Sequence, residues 1–506
     1  MPRLLIAITL MLLAAPAAAS ASSNQISIMQ DDATFLGYDT SKSAESAMAE
    51  ARYLGVDMVR SFVSWSKVSP DPTGKTVPAG FDPGDPSSPG YNWTEYDRFV
   101  RLARANGLKV FLTMSPPIPH WASEKPSFCP HHIGGYRTMG QACYWKPRPD
   151  LFGKFVAAVA KRYRGQVSIY SMWNEPNLEH YLYPQPGRGS RGPVDVAAKR
   201  YRSLWYAGYK AIRAHDPARR NKVLFGETAA ISSPLDTLYA ALCLNETGQP
   251  FRGARKRKQG CSKPRKLPIG GIAVHPYAKD AVGSVFSRTA TRDSHPMAYA
   301  NRLHKVLNQA VGYNRIPRGR GVWNTEFGFQ SNPPDRVRGL SFATQAKRLN
   351  EAERLFASDP RMRSFSQFEL YDAPEVASED IYNTGLRLIG GDIKPAYAAF
   401  RMPIVASRYS NSLVEVWGQV RPVRRRVRPR VYTVRNGKRR LIARPRTNRA
   451  GYFRFFVRRK GATKLRFRSQ FQLRPAEYVT PGEAVIRSRV AKVGRRIAYL
   501  KSPPGP

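Results

Sequence analysis

The chain has 506 residues, with 82 Lys and Arg against 36 Asp and Glu, and a formal net charge of +46. That length admits one large domain and a small second one. After the first twenty or so residues no stretch is long and apolar enough to cross a bilayer, which excludes a helical membrane protein.

The first residues read as a leader rather than as fold. Arg3 gives a positive start, Leu4 to Ala15 is apolar, and small residues follow from Ala17 to Ala21. This predicts a signal peptide over 1–21, cleaved after Ala19 or Ala21, and a secreted, extracellular product. Four cysteines fall into two sequence-local pairs. In an exported chain these predict disulfides Cys129–Cys143 and Cys243–Cys261, since neither pair has the Cys-x-x-Cys spacing of zinc ligands.

Strand and helix patterns then alternate. The strand candidates are Phe35–Tyr38, Asp57–Val63, Lys109–Met114, Ser168–Trp173, Val223–Glu227, Ile269–Val274, Val322–Glu326 and Ser364–Leu370. Helical patterns follow them at Ala44–Leu54, Trp93–Ala105, Leu151–Tyr163, Val194–His215, Leu235–Leu244, Ala298–Val311, Ser341–Phe356 and Ala396–Phe400. Eight strand-then-helix units predict an α/β chain folded as a (β/α)8 TIM barrel over 26–402. The rival, an open doubly wound sheet, announces itself with a Gly-rich phosphate loop, and none stands near the start. The long loops follow strands, on the side where a barrel builds its active face.

Near Pro403 the pattern changes to short β-branched and aromatic runs separated by turn signals such as Asn436-Gly437. A small all-β, sandwich-like domain is expected over 403–490, with a frayed C-terminal tail over 491–506. From Arg421 to Gln470 there are 20 Lys or Arg and no Asp or Glu. Such a run is a solvated face or attracts an anionic polymer or envelope surface. The leader argues against nucleic acid.

Glu175 and Glu326 stand out. Each closes a short apolar run, Ile169-Tyr-Ser-Met-Trp-Asn-Glu175 and Val322-Trp-Asn-Thr-Glu326. A carboxylate at the exit of a barrel strand serves a core poorly and chemistry well. Taken singly, Glu175 reads equally as a helix-start residue between Asn174 and Pro176, and Glu326 as one half of an ion pair. Together they occupy the exits of strands four and seven.

On these residues the chain resembles the retaining glycoside hydrolases of clan A, in the style of the cellulase-like families 5 and 39, over roughly residues 30 to 402. The resemblance implies Glu175 as acid/base, Glu326 as nucleophile and Asn174 as a ligand of the sugar 2-hydroxyl. It implies hydrolysis of O-glycosyl, β-linked bonds of a poly- or oligosaccharide, with no metal or organic cofactor. Arg60 on strand two matches the clan's arginine near the nucleophile, and His275 and Tyr277 end strand six where similar enzymes contact nucleophile or sugar. Trp65 and Trp121 are expected to stack on sugar rings, with Trp145, Tyr181 and His120 as further candidates. Glu227, ending strand five, reads as a structural ion pair more than a cleft residue. Strand eight departs from the pattern: it lacks the clan's Trp and offers Gln367 or Glu369 to the barrel mouth. The alternative function is a non-catalytic glycan- or envelope-binding protein on a barrel scaffold.

Overall fold

A computed structural model describes residues 24–129, 142–186, 194–218, 222–287, 293, 295, 297, 300–373, 383–458, 460–477 and 484–497. The leader over 1–21 and the last residues of the tail lie outside this set.

Eight parallel strands form one sheet: β1 (Ile26–Gln30), β2 (Met58–Ser64), β3 (Lys109–Ser115), β4 (Val167–Met172), β5 (Lys222–Ala229), β6 (Ile272–His275), β7 (Val322–Asn324) and β8 (Ser364–Phe368). Neighbours in sequence are neighbours in the sheet, and β1 also pairs with β8. The circle closes where Val322 N–H donates to Arg361 O and Arg363 N–H to Val322 O. The main helices between them are Ala44–Tyr53, Thr94–Ala105, Pro149–Arg162, Val196–His215, Pro234–Ala241, Ala300–Gly312, Phe342–Ser358 and Pro395–Arg401. Several start on a local cap: Ser43, Asp195 and Ser341 accept from the N–H three residues on. This is the expected (β/α)8 barrel. Among the described residues no helix is long and apolar enough to cross a membrane.

The first strand corrects the sequence reading. It is Ile26–Gln30, and Phe35–Tyr38 instead ends a short helix, Asp32–Phe35. Asp31 caps that helix by accepting from Thr34 N–H, so the chain turns away from the sheet before Phe35.

Inside the barrel the pleat stacks two layers. Ile28, Met58, Phe111, Ile169, Leu224, Ala273 and Trp323 pack as an apolar plug. Two residues further along their strands come Gln30, Arg60, Thr113, Ser171, His275 and Thr325, because successive side chains alternate faces. The polar layer lies at the carboxyl ends of the strands, directly above the plug. In β5 the step from Leu224 to the polar layer takes three residues. The register against β6 slips between Gly226 and Thr228, and Glu227 is the extra residue, at φ 49°. Gly226 makes the bulge possible: at φ 118°, a Cβ there would sit 2.5 Å from Ala273 O.

Residues from Ile404 to Gly494 form a second, mixed sheet of eight strands. Its inner residues, among them Ile404, Val416, Phe453, Val431, Phe467 and Ala491, share one small core. The Arg430–Arg435 and Lys438–Ala443 hairpin turns through Asn436 and Gly437, both at positive φ, as a two-residue primed turn requires. Ala491–Gly494, which the sequence assigned to a frayed tail, is a strand. It pairs with Ile404–Arg408 on one side and Arg466–Gln472 on the other, joining the two halves of the sheet. A run of four residues with a single β-branched side chain, Val493, is too short to announce itself.

The second sheet is fastened to the barrel, away from the mouth. The outer face of Leu413–Gln419 lies on helix Phe342–Ser358: Glu415 accepts from Arg354 at 3.1 Å, and Trp417 joins the barrel's apolar core. Arg421 pairs with Glu353 and donates to Phe400 O, and Arg424 reaches Asp57 and Gly55 O before β2.

Both cysteine pairs are bonded, Cys129 to Cys143 and Cys243 to Cys261. The first ties the loop after β3; the second ties the basic insertion, which follows helix Pro234–Ala241 and leads into β6, so this long loop does not follow a strand as the sequence reading had it.

Candidate active site

Five strands bring one charged network together at the mouth. Glu175, just beyond β4, contacts His275 at the end of β6, Oε1 to Nδ1, at 2.7 Å. The other ring nitrogen of His275 lies 2.9 Å from Glu227 Oε2. Arg60 Nη2 donates to the same Glu227 oxygen at 3.1 Å, and its Nη1 donates to Glu326 Oε2 at 3.0 Å. Tyr277 donates its hydroxyl to Glu326 Oε1 at 3.1 Å, and Thr325 donates to Glu227 at 2.7 Å. The nearest ligand atoms of Glu175, His275 and Glu326 all lie within 4.8 Å of one another. Two acids 151 positions apart in the chain thus share one small space.

The electrostatics follow from this wiring. Burial opposes charge on His275, but Glu326, Glu175 and Glu227 outweigh it and raise the imidazole to about 10. Burial would likewise raise Glu227. Arg60, His275 and Thr325 overcome it and hold the carboxyl down at about 2. Geometry agrees, since an imidazole flanked by carboxylates at both nitrogens donates from both when charged. Arg60 is fixed from below by Thr113, at 3.1 Å, and by Gln30. Its guanidinium also lies over the rings of Phe62 and Phe111.

The backbone bends to present these acids. Glu175 has φ 41° and Glu227 φ 49°, left-handed values unusual for residues with a Cβ. The Glu175 N–H donates to Glu227 O at 2.9 Å, so one bend supports the other. Conformations of this kind cost on the order of 1–3 kcal/mol each and collect at functional sites.

Glu175, His275 and Glu326 offer three ligand atoms close enough for a metal ion. The donor set suits hydrogen bonding better. Metal ligation needs a neutral imidazole with a free lone pair, while His275 is held charged between carboxylates and Arg60 already neutralises Glu326.

Of the residues expected from sequence, Arg60, His275, Tyr277, Glu175 and Glu326 meet here. Asn174 is buried beside Glu175, and its Oδ1 has no hydrogen-bond partner among the described residues. Trp65 and Trp121 do not reach the site. Trp65 is wholly buried, stacked on Phe155 at 5.3 Å and edge-on to Trp121, which packs on Phe81. Both fill the space between the strand-end loops and helix Pro149–Arg162, where burial of a large aromatic stabilises most. Trp145 packs on Phe128 and Tyr183, and His120 is buried.

Glu227 makes the ion pair expected from sequence, with Arg60, but it also touches His275 and Thr325, a central place in the network that sequence reasoning missed. The Gly-Glu pair at the end of a strand was the available signal, as glycine permits the bulge. Glu369, after β8, one of the two residues the sequence offers to the mouth, sits at φ 77°. Burial, with Asp31, Asp372 and Glu326 around it, pushes its carboxyl well above the usual range.

No protein-family model and no curated protein sequence matches this chain. Among solved structures it is similar to a family 39 glycoside hydrolase from the gut symbiont Bacteroides cellulosilyticus WH2, with 14% identity over 87% of this chain and 81% of that one, and a TM-score of 0.48. It is also similar to a β-glucosidase from Thermotoga maritima, with 15% identity over 70% and 83% of the two chains and a TM-score of 0.42. A hyperthermophilic β-glucosidase from Pyrococcus furiosus gives 16% identity over 70% and 82%, with a TM-score of 0.39. At such identities these are likenesses of backbone, and the chemistry of the site is read from its own residues.

Proposed function

We propose that the protein is a secreted glycosidase that cleaves O-glycosyl, β-linked bonds of a poly- or oligosaccharide with retention of configuration. The observation that carries this reading is the approach of Glu175 and Glu326 to within 4.8 Å at the carboxyl ends of the barrel strands. Retaining enzymes hold their two carboxyls about 5–5.5 Å apart, whereas inverting ones leave about 6.5–9.5 Å for a water. The short spacing supports a direct attack by one carboxylate.

Glu326 is the nucleophile in this reading. Arg60 and Tyr277 each donate to one of its oxygens, which aims it at the sugar. Its oxygen attacks the anomeric carbon while the bond to the leaving oxygen breaks, forming a glycosyl ester. Glu175 supplies the proton that the leaving oxygen takes up. The proton comes from His275: its Nδ1 passes it to Glu175 across their 2.7 Å contact as Glu175 protonates the leaving oxygen, and Glu227 fixes the imidazole from the other side. In the second step water loses a proton to Glu175 and its oxygen displaces Glu326 from the sugar. Asn174, with its buried unpartnered amide oxygen, supports the role of a sugar-hydroxyl ligand.

A panel of aryl β-glycosides tests the reading. The wild type is expected to release phenol from at least one sugar. Glu175→Gln retains most of kcat/KM on dinitrophenyl glycosides and loses it on alkyl ones, because kcat/KM reports the first step and only the poor leaving group needs the acid there. Equal loss on both would remove Glu175 from this role.

A further inference from the structure

The two outer faces of the second sheet differ. One is covered by the barrel. The other, made by Arg430–Arg435, Lys438–Ala443, Arg466–Gln472, Val485–Arg487 and Ala491–Gly494, is open. Register assigns its side chains. Tyr432 is opposite Arg468, Arg430 opposite Gln470, and Gln470 opposite Arg487. Val434 is opposite Arg439, and Arg466 opposite Lys492. Directly opposed residues share a face. Val431, Phe467, Ser469, Ile486 and Ala491, one step along, are the buried side of the same strands. Six cations, Arg430, Arg439, Arg466, Arg468, Arg487 and Lys492, therefore stand on one face with Tyr432 and Gln470 among them. Arg439 Nη1 donates to Gln470 at 3.1 Å and lies over the Tyr432 ring, which confirms the assignment.

None of the six pairs with a carboxylate among the described residues. Residues 404–494 hold 25 Lys or Arg and three acids, Glu415, Glu477 and Glu483. Glu415 is taken by Arg354 and Arg454, and Glu477 by Arg425; Glu483 lies outside the described set. Strands lie about 4.8 Å apart and alternate residues about 6.7 Å, so like charges are held at spacings where they repel. Burial, then Arg439 and Arg487, keeps Arg468 below the usual arginine range. A folded domain that keeps such a face gains most when an anion with repeated charges relieves it.

We propose that this face docks a linear acidic polysaccharide, whose carboxylate or sulfate groups pair with the row of guanidiniums while Tyr432 and Gln470 meet its hydroxyls. Arginine suits planar oxyanions that accept two parallel hydrogen bonds. The single aromatic ring among the cations favours a glycan over single-stranded nucleic acid, which stacks successive bases on several rings. The proposal concerns binding away from the barrel mouth and stands whether or not the mouth cleaves glycosides.

The test uses the full secreted chain on immobilised polygalacturonate and dextran sulfate, with plain dextran, duplex DNA and phosphatidylserine vesicles alongside. Retention on the two acidic glycans is expected, at least tenfold above dextran, DNA and vesicles at 150 mM salt. The triple variant Arg430→Gln, Arg439→Gln, Arg487→Gln, all exposed positions, weakens it at least tenfold. The triple variant Arg101→Gln, Arg104→Gln, Lys154→Gln removes the same charge from exposed barrel helices and changes it less than twofold. Unchanged thermal unfolding and aryl-glycoside turnover in both variants show that fold and mouth are intact. Equal weakening by both triples would mean attraction to net charge alone, and tighter retention on DNA or vesicles would name another partner. Either result overturns the proposal, as does no retention on the acidic glycans.

Discussion

The barrel mouth and the outer face of the second sheet handle charge in opposite ways. At the mouth, Arg60 and His275 stand among three glutamates, buried, each charge touching its opposite. On the sheet, six cations stand in register with no acid between them. Both patterns arise from the period of two in a strand, which stacks every second side chain on one face. In the barrel that face turns inward and must be satisfied internally, because an unpaired buried charge is prohibitive. On the sheet it turns to water, where repulsion between cations is screened and tolerated. A matched network suits chemistry with fixed geometry. An unmatched one suits a partner that brings the missing charge.

Variants should separate the two regions in order of size. The largest effect is expected from Glu326→Gln, with kcat/KM falling at least about 10³-fold for every leaving group, since the nucleophile's loss is not offset by a better one. Glu175→Gln should cost about 10²–10⁴-fold on poor leaving groups and little on good ones. Next is the anchor between the regions. Arg421→Met leaves Glu353 buried and uncompensated, and should destabilise the chain by about 3–5 kcal/mol, read by denaturant unfolding. Arg430→Gln on the open face should change stability by less than about 0.5 kcal/mol.

The pH dependence sharpens the contrast. His275 titrates near 10 in the folded chain against 6.5 unfolded. Its stabilisation is complete below about 6.5 and is lost as pH rises through 10. Glu227 titrates near 2 against 4.5. Its stabilisation is present above about 4.5 and is lost as pH falls towards 2. Thermal unfolding from pH 3 to 10.5 should therefore show an alkaline decline that His275→Asn removes. The open-face triple should leave that decline in place. A decline identical in the His275 variant would mean that the imidazole is not held charged.

Much of this was legible in the sequence because it is local. Alternating strand and helix periods reveal the barrel, and apolar runs ending in Glu175 and Glu326 reveal the strand exits. Arg60, His275 and Tyr277 come from the resemblance to clan A enzymes, which supplied their expected roles. What was not legible depends on packing across the chain. Trp65 and Trp121 sit in strand-end loops like many sugar platforms, yet their rings find Phe155 and Phe81. Glu227 becomes the centre of the network only through a one-residue bulge at Gly226. Ala491–Gly494 becomes a strand only because two distant strands leave a gap for it. The row of cations is spread over five segments, and only register assembles it.

The central claim is that Glu326 forms a bond to the sugar with Glu175 opposite. A series of 2-deoxy-2-fluoro glycosides with dinitrophenolate leaving groups tests this directly, read by mass spectrometry of the intact chain and its peptides. The account predicts one added fluorosugar per chain, attached to Glu326 and absent from Glu326→Gln. A sugar attached to another residue, or turnover of the parent glycosides with inversion and no label, would contradict it.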